Sequence, residues 1–253
     1  MLTGKKCFVT GGAGAIGIAI TKEFADQGAL VVSADVEFCD DPSINRKNIE
    51  PNKSNIIKCY LDVTNANAVQ ASIHKYWEIL EGIDALVNCA GILRSKKFDE
   101  LSEDEWKQTI DINLTGTYNT SHFVYQKMKQ HKGGVIINIA SDAGEIGSTM
   151  SSADYAVSKA GVICLAKCIA REGARWNIRA NSIAPGFIDT DLLKKFKDDW
   201  GEEMMNDIVS QYVPLKRKGL PVEVAKLAVF MASDNASYIT GATYDINGGL
   251  CMN

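Results

Sequence analysis

Histidine is scarce: His74, His122 and His131 are the three in 253 residues, and none stands in a chelating spacing with another ligand-type side chain. Metal chemistry is therefore not expected. The seven cysteines include no Cys-x-x-Cys pair, and Cys7, Cys59 and Cys89 lie in or beside apolar runs. That pattern suits reduced thiols acting as small hydrophobes in a reducing compartment. No apolar run is long enough to span a bilayer, and no signal or transit pattern precedes the strand expected at Lys6-Cys7-Phe8-Val9. A cytoplasmic location is the expectation. Basic charge is not in excess, since the formal net charge is −4, which argues against nucleic acid or an anionic membrane as a main partner. There is no Gly-x-Ser-x-Gly, and no lysine follows the glycine-rich segment in P-loop spacing. Serine-hydrolase and P-loop readings fall away.

What is present is ordinary for a globular chain, 46% hydrophobic and 23% charged, and long enough to bury a core without disulfides. Short apolar runs alternate with helix-patterned stretches. The strands are expected at Cys7–Thr10, Leu30–Ala34, Ile56–Leu61, Ala85–Asn88, Val135–Ala140, Arg179–Ala184 and Thr243–Ile246. Helices are expected near Ile16–Gln27, Asn67–Leu80, Glu103–Lys129, Ala153–Trp176 and Val222–Ser233. This alternation predicts an α/β fold, a Rossmann-like doubly wound parallel sheet with helices on both faces. No linker-like composition divides residues 1–253, so a single dinucleotide-binding and catalytic domain is expected.

Thr10-Gly11-Gly12-Ala13-Gly14-Ala15-Ile16-Gly17 joins the first strand to the first helix. Glycines there let backbone N–H groups approach a pyrophosphate at the positive end of a helix; a plain tight turn is the other reading. Asp35 ends the second strand, where a carboxylate accepts bonds from both ribose hydroxyls of an adenosine and repels a 2′-phosphate. No Arg or Lys lies in Gly12–Ile16 or just after Asp35, so NAD(H) is favoured and NADP(H) is the alternative. Val36–Asn55 is irregular, with room for at most a short helix near Ser43–Glu50. Asp62 stands where it could touch an adenine edge or cap the next helix. Asn113 lies amid apolar residues of a long helix, where an asparagine is costly unless it is bonded, as a structural clasp or as part of a site.

Tyr155 and Lys159 are four residues apart and so share one helix face. A free tyrosine titrates near ~10. One ammonium at ~4 Å supplies the roughly 4 kcal/mol needed to bring it near neutrality. Lys159 is therefore expected to make Tyr155 an acid/base, with the Ser141 hydroxyl holding a substrate oxygen. The same spacing also arises by chance on surface helices.

In order, these motifs resemble the short-chain dehydrogenase/reductase family over the whole chain. Thr10-Gly11-x-x-x-Ala15-x-Gly17 resembles its cofactor loop, with Ala15 in place of a glycine. Asn88-Cys89-Ala90-Gly91 resembles Asn-Asn-Ala-Gly, with Cys89 for the second Asn. Pro185-Gly186-Phe187-Ile188-Asp189-Thr190 resembles the carboxamide loop, and Tyr238-Ile239-Thr240-Gly241 with Asn247-Gly248-Gly249 the C-terminal signature. Asn113, Ser141, Tyr155 and Lys159 fall where the family keeps its catalytic four. The step from Ser141 to Tyr155 is one residue longer than the family pattern, and Ser148, Ser151 and Ser152 are rivals to Ser141.

The resemblance implies hydride transfer between a nicotinamide and a secondary alcohol or ketone. Tyr155 would move the proton, Lys159 would lower the tyrosine's pKa and bond the nicotinamide ribose, and Asn113 would hold a water. It implies cofactor contacts from Gly11, Gly14, Ala15, Ile16, Gly17, Asp35, Asp62, Val63, Asn88, Ala90, Gly91, Pro185, Gly186, Ile188 and Thr190. Substrate contacts are expected from Arg94, Glu145 and Phe187 beside Ser141 and Tyr155. A substrate lid is expected over 191–212, and a homotetramer or homodimer as the assembly. The alternatives are an NADPH-dependent 3-oxoacyl-thioester reductase and, in another class, a non-enzymatic dinucleotide sensor.

Overall fold

The structure, a computed structural model, describes residues 1–40, 55–131, 133–148, 150–190, 193 and 201–252. The short helix expected near Ser43–Glu50 and most of the first half of the expected lid lie outside the described residues.

Seven described strands form one parallel sheet: β1 (Lys6–Thr10), β2 (Leu30–Asp35), β3 (Ile56–Tyr60), β4 (Ala85–Asn88), β5 (Gly134–Ile139), β6 (Ile178–Pro185) and β7 (Thr243–Ile246). Their order is β3-β2-β1-β4-β5-β6-β7. Successive residues of a strand point to opposite faces, and both faces are apolar. Cys7, Val9, Val31, Val87 and Ile137 pack beneath α1 (Ala15–Asp26) and α8 (Pro221–Ala232), against Ile20, Phe24, Val224 and Val229. Phe8, Val32, Leu86 and Ile136 face the other way. They pack with Ile73 and Tyr76 of α2 (Ala66–Leu80) and with Val124 and Met128 of α4 (Gly116–His131). Burial on both faces is why the central strands β1, β2 and β4 read as apolar runs, whereas the edge strand β3 alternates, with Lys58 and Tyr60 exposed.

One expected helix is two. The stretch from Glu103 opens with a capping box, Ser102 Oγ accepting from Glu105 N–H and the Glu105 carboxylate accepting from Ser102 N–H. It runs as α3 (Glu103–Ile110), widens into a π-turn over Asp111–Thr115, and resumes as α4. The turn coincides with Asn113, whose side chain spans Ile92, accepting from its N–H at 2.8 Å and donating to its C=O at 2.9 Å. A side chain tied outside the helix at both ends is a local reason for the ladder to open. Further described α-helices are α5 (Ala143–Ile146), α6 (Ala153–Gly173) and α7 (Glu202–Tyr212).

The sheet order reverses between β1 and β4, where their carboxyl ends leave a crevice, the place where open α/β sheets take ligands. Thr10 Oγ1 closes its floor by accepting from Cys89 N–H (3.2 Å) and Ala90 N–H (3.3 Å).

Candidate active site

A cleft of about 490 Å³ opens at that crevice. One end is built by the β1–α1 loop, with Gly11, Gly14, Ala15, Ile16 and Gly17 on its wall. The loop is folded tightly: a Cβ on Gly17 would stand 2.0 Å from the Gly11 carbonyl oxygen. The cap of α1 is Gly14, which offers no side-chain oxygen, and the first turn carries no acidic residue. The positive end of the helix dipole is left for an anion in the cleft. Beside it the Asp35 carboxylate accepts from Ala13 N–H (3.0 Å) and Glu37 N–H (3.1 Å). Asp62, Val63, Ala90 and Gly91 continue the wall, and Pro185, Gly186, Ile188, Thr190 and Leu193 close the far side. A dinucleotide fits this donor set: a glycine cradle and a bare helix end for phosphates, and a carboxylate for ribose hydroxyls.

At the other end stand Ser141, Tyr155 and Lys159. Lys159, 5% exposed, is the one cation among the described residues lining the cleft. Its Nζ donates to the Ile139 carbonyl at 2.8 Å and lies 5.7 Å from the Tyr155 ring centroid. The Ser141 hydroxyl donates to Asp142 Oδ1 (3.0 Å), and its oxygen accepts from Ala143 N–H (3.2 Å). Ser148 Oγ serves the N–H groups of Met150 and Ser151, and Ser152 Oγ bonds Arg94 O and Asp154. None of the three rival serines lines the cleft.

The electrostatics depart from the expectation. Burial pushes the Tyr155 phenol up to about 12; the Ser141 hydrogen bond works against that, and the Asp142 and Cys89 side chains add to it. Burial lowers Lys159 to about 8. Lys159 does not bring Tyr155 toward neutrality: burial outweighs the opposing Ser141 hydrogen bond. The ammonium is spent on Ile139, and both groups have lost water.

Several expected contacts lie elsewhere. Asn88 is buried beneath the cleft, donating to Ser121 Oγ and Asn138 Oδ1 (both 2.9 Å) and accepting from Thr120 Oγ1 (2.6 Å). It cross-links β4, β5 and α4 and does not line the cavity. The Asn113 side chain also donates to Ser158 Oγ (3.0 Å), so it clasps the Ile92 backbone to α6. Asp62 does not cap α2; Asn65 does, and Asp62 accepts from Thr64 N–H (2.9 Å).

The three expected substrate side chains are absent from the cleft wall. Arg94 binds the Glu105 carbonyl, Thr109 and Gln108, and lies 3.8 Å from the Asp154 carboxylate. Glu145 faces Asp245; burial and that neighbour push it up to about 7. Phe187 presents its carbonyl to Gly219 N–H (2.8 Å). Sequence reasoning missed Ile112, placed on the wall by the π-turn, and the Ile139 carbonyl that holds Lys159. Neither carries a sequence signal, since one depends on a helix distortion and the other is backbone.

Gly144 sets the distance between this serine turn and α6: a Cβ there would meet Lys159 C at 2.6 Å and Ala160 N at 2.7 Å. Backbone cannot yield as a side-chain tip can. Gly144→Ala is expected to cost about 1–3 kcal/mol of stability, read as a lowered thermal midpoint, with Ser141 drawn away from Tyr155 and kcat reduced. An unchanged midpoint and kcat would contradict this packing.

Residues 11–251 match the family model described as Enoyl-(Acyl carrier protein) reductase. The chain is 38% identical over 250 residues to the 3-oxoacyl-(acyl-carrier-protein) reductase FabG of Chlamydia trachomatis, covering 99% of this chain and 98% of that protein. It is 34% identical over 249 residues to the acetoacetyl-CoA reductase of an Acinetobacter strain, covering 98% of each. The ligand-free aldohexose dehydrogenase of Thermoplasma acidophilum superposes with a TM-score of 0.85 at 34% identity, over 98% of this chain and 94% of that one. With the β1–α1 loop, the crevice and the Ser141, Tyr155 and Lys159 constellation in one cleft, this chain belongs to the short-chain dehydrogenase/reductase family of NAD(P)-dependent oxidoreductases acting on CH–OH and keto groups.

Proposed function

We propose that this chain reduces the keto group of a 3-oxoacyl thioester to a secondary alcohol, with NADH as the reductant. The near full-length likeness to a 3-oxoacyl-(acyl-carrier-protein) reductase carries the substrate class. Asp35 carries the cofactor preference: its carboxylate stands on the cleft wall beside the glycine loop, with no Arg or Lys near it among the described lining residues.

The bound cofactor supplies the hydride. Everything else falls to the chain's own side chains. Tyr155 gives its phenolic proton to the keto oxygen, and burial keeps that proton in place at neutral pH. Ser141, beside the tyrosine hydroxyl, holds the same oxygen when its one hydroxyl hydrogen turns from Asp142 to the substrate. Lys159 contributes positive charge where negative charge develops on that oxygen. Asn113 ties the cleft wall at Ile92 to Ser158, on the same helix as Tyr155. The single catalytic domain over 1–253, a lid over 191–212 and a homotetramer or homodimer complete the proposal; light scattering tests the last.

Initial rates with acetoacetyl thioesters and NADH or NADPH test the reading. Turnover with NADH at higher kcat/KM supports it, and a strong NADPH preference contradicts the role given to Asp35. The second reading, favoured by the aldohexose dehydrogenase likeness, is sugar oxidation. Aldohexose turnover with NAD+ exceeding thioester reduction would establish it.

Lys159 adds a pH dependence. Its pKa is lowered from 10.5 to about 8, so the cation is present below that pH and lost above it. The kcat/KM for reduction is expected to fall about tenfold per unit above pH ~8. A profile flat to about pH 10 would show that the charge of Lys159 is not needed.

A further inference from the structure

Ser141 is followed by an acidic residue whose carboxylate takes the serine's only hydroxyl proton. The Ser141 Oγ–Asp142 Oδ1 distance is 3.0 Å, and Ala143 N–H donates to both oxygens, at 3.2 Å to Ser141 and 2.7 Å to Asp142. Asp142 is the cap of α5, and its backbone N–H is tied to the Pro185 carbonyl at 3.1 Å. The carboxylate is thus fixed from both sides. Two acceptors compete for one proton, the Asp142 carboxylate and the Tyr155 oxygen that also neighbours Ser141. A hydroxyl has one hydrogen to donate; when it goes to Asp142, Ser141 cannot stabilise a phenolate.

We propose that Asp142 is a positioning residue that sets the pH at which Tyr155 changes from proton donor to proton acceptor, by holding the Ser141 hydroxyl proton and by placing a negative charge beside the phenol. The inference rests on the reading of Tyr155 as the acid/base of this cleft. Both effects keep the phenol protonated, which widens the range in which it serves as the acid for reduction. Because the overall equilibrium belongs to substrate and cofactor, Asp142 moves the pH profiles of both directions together and leaves their ratio at any one pH unchanged.

The groups facing these two side chains come from several elements. Tyr155 is met by Cys89 after β4, Asp142 at the start of α5 and Lys159 on its own helix. Asp142 is met by Asp245 on β7, which also faces Glu145, and Lys167 of α6 acts on Glu145 with the opposite sign. Burial and Asp245 raise Asp142 above the ordinary carboxylate range, while the Ser141 and Ala143 hydrogen bonds hold it down.

The test is a pH titration of tyrosine labelled with 13C at Cζ in the NAD+-bound protein, Tyr155→Phe identifying the resonance of residue 155 among the eight tyrosines. Asp142→Asn and Asp142→Ser keep a capping oxygen and remove the charge; Asp142→Glu keeps the charge. The neutral variants are expected to move the Tyr155 midpoint down by about one pH unit, with Asp142→Glu close to wild type. The acid limb of alcohol oxidation should move with it. A Tyr155 resonance in Asp142→Asn that follows wild type at every pH the fold survives overturns the proposal, as does a shift in Asp142→Glu as large as in Asp142→Asn. The resonance is read without substrate, so a shifted midpoint in a protein that fails to reduce thioesters upholds this inference and refutes the substrate reading alone.

Discussion

Tyr155→Phe will lower kcat for reduction of a 3-oxoacyl thioester by about 10²–10⁴, the usual contribution of a positioned proton donor, while NADH binds within about threefold of its wild-type Kd. The ring lies on the cleft wall beside Ser141 and Lys159, and removing the hydroxyl leaves the packing of α6 intact. Phenylalanine has no proton to give to the keto oxygen, and the Ser141 proton is directed to Asp142. The loss should therefore fall on kcat and not on cofactor affinity. Fluorescence titration with NADH and steady-state kinetics read the two quantities separately. Retention of wild-type kcat would remove Tyr155 as the donor.

Gly17→Ala will cripple the other end of the cleft. Its Cβ would stand 2.0 Å from Gly11 O and 2.8 Å from Gly11 C, both backbone atoms of the turn that would cradle the phosphates. Either α1 or the turn must shift. Overpacking of this kind costs about 1–3 kcal/mol. Taken wholly from cofactor binding, it is a roughly 5–150-fold rise in the Kd for NADH. Calorimetry measures that rise and a thermal melt checks the fold; an unchanged Kd would show that the turn does not touch the cofactor.

The legible parts of the molecule are those whose signal is local. Alternating apolar runs and amphipathic stretches disclose the sheet, because strands covered on both faces need no polar residues. The glycine loop and the Tyr155–Lys159 pair are visible because backbone approach and helical spacing are written in consecutive residues. The family resemblance implies a cofactor contact at Asn88, which the fold instead buries. Its partners Thr120, Ser121 and Asn138 come from elements 32 to 50 residues away, and no local pattern announces them. Arg94 and Glu145 look like substrate contacts in a loop, yet packing turns one to α3 and Asp154 and the other to Asp245. The raised pKa of Tyr155 is hidden from the sequence for a related reason. Coulombic attraction can be judged from spacing, but desolvation and the Ile139 carbonyl that captures Lys159 belong to the folded interior.

The central claim, direct hydride transfer to the keto carbon of a thioester, is tested by one labelling experiment. The protein is incubated with a 3-oxoacyl thioester and NADH carrying deuterium at nicotinamide C4, in each of its two stereochemical forms, and the product is analysed by mass spectrometry. The account predicts deuterium on C3 of a 3-hydroxyacyl thioester from one form and none from the other. No hydroxyacyl product, or product without deuterium from either form, would contradict it.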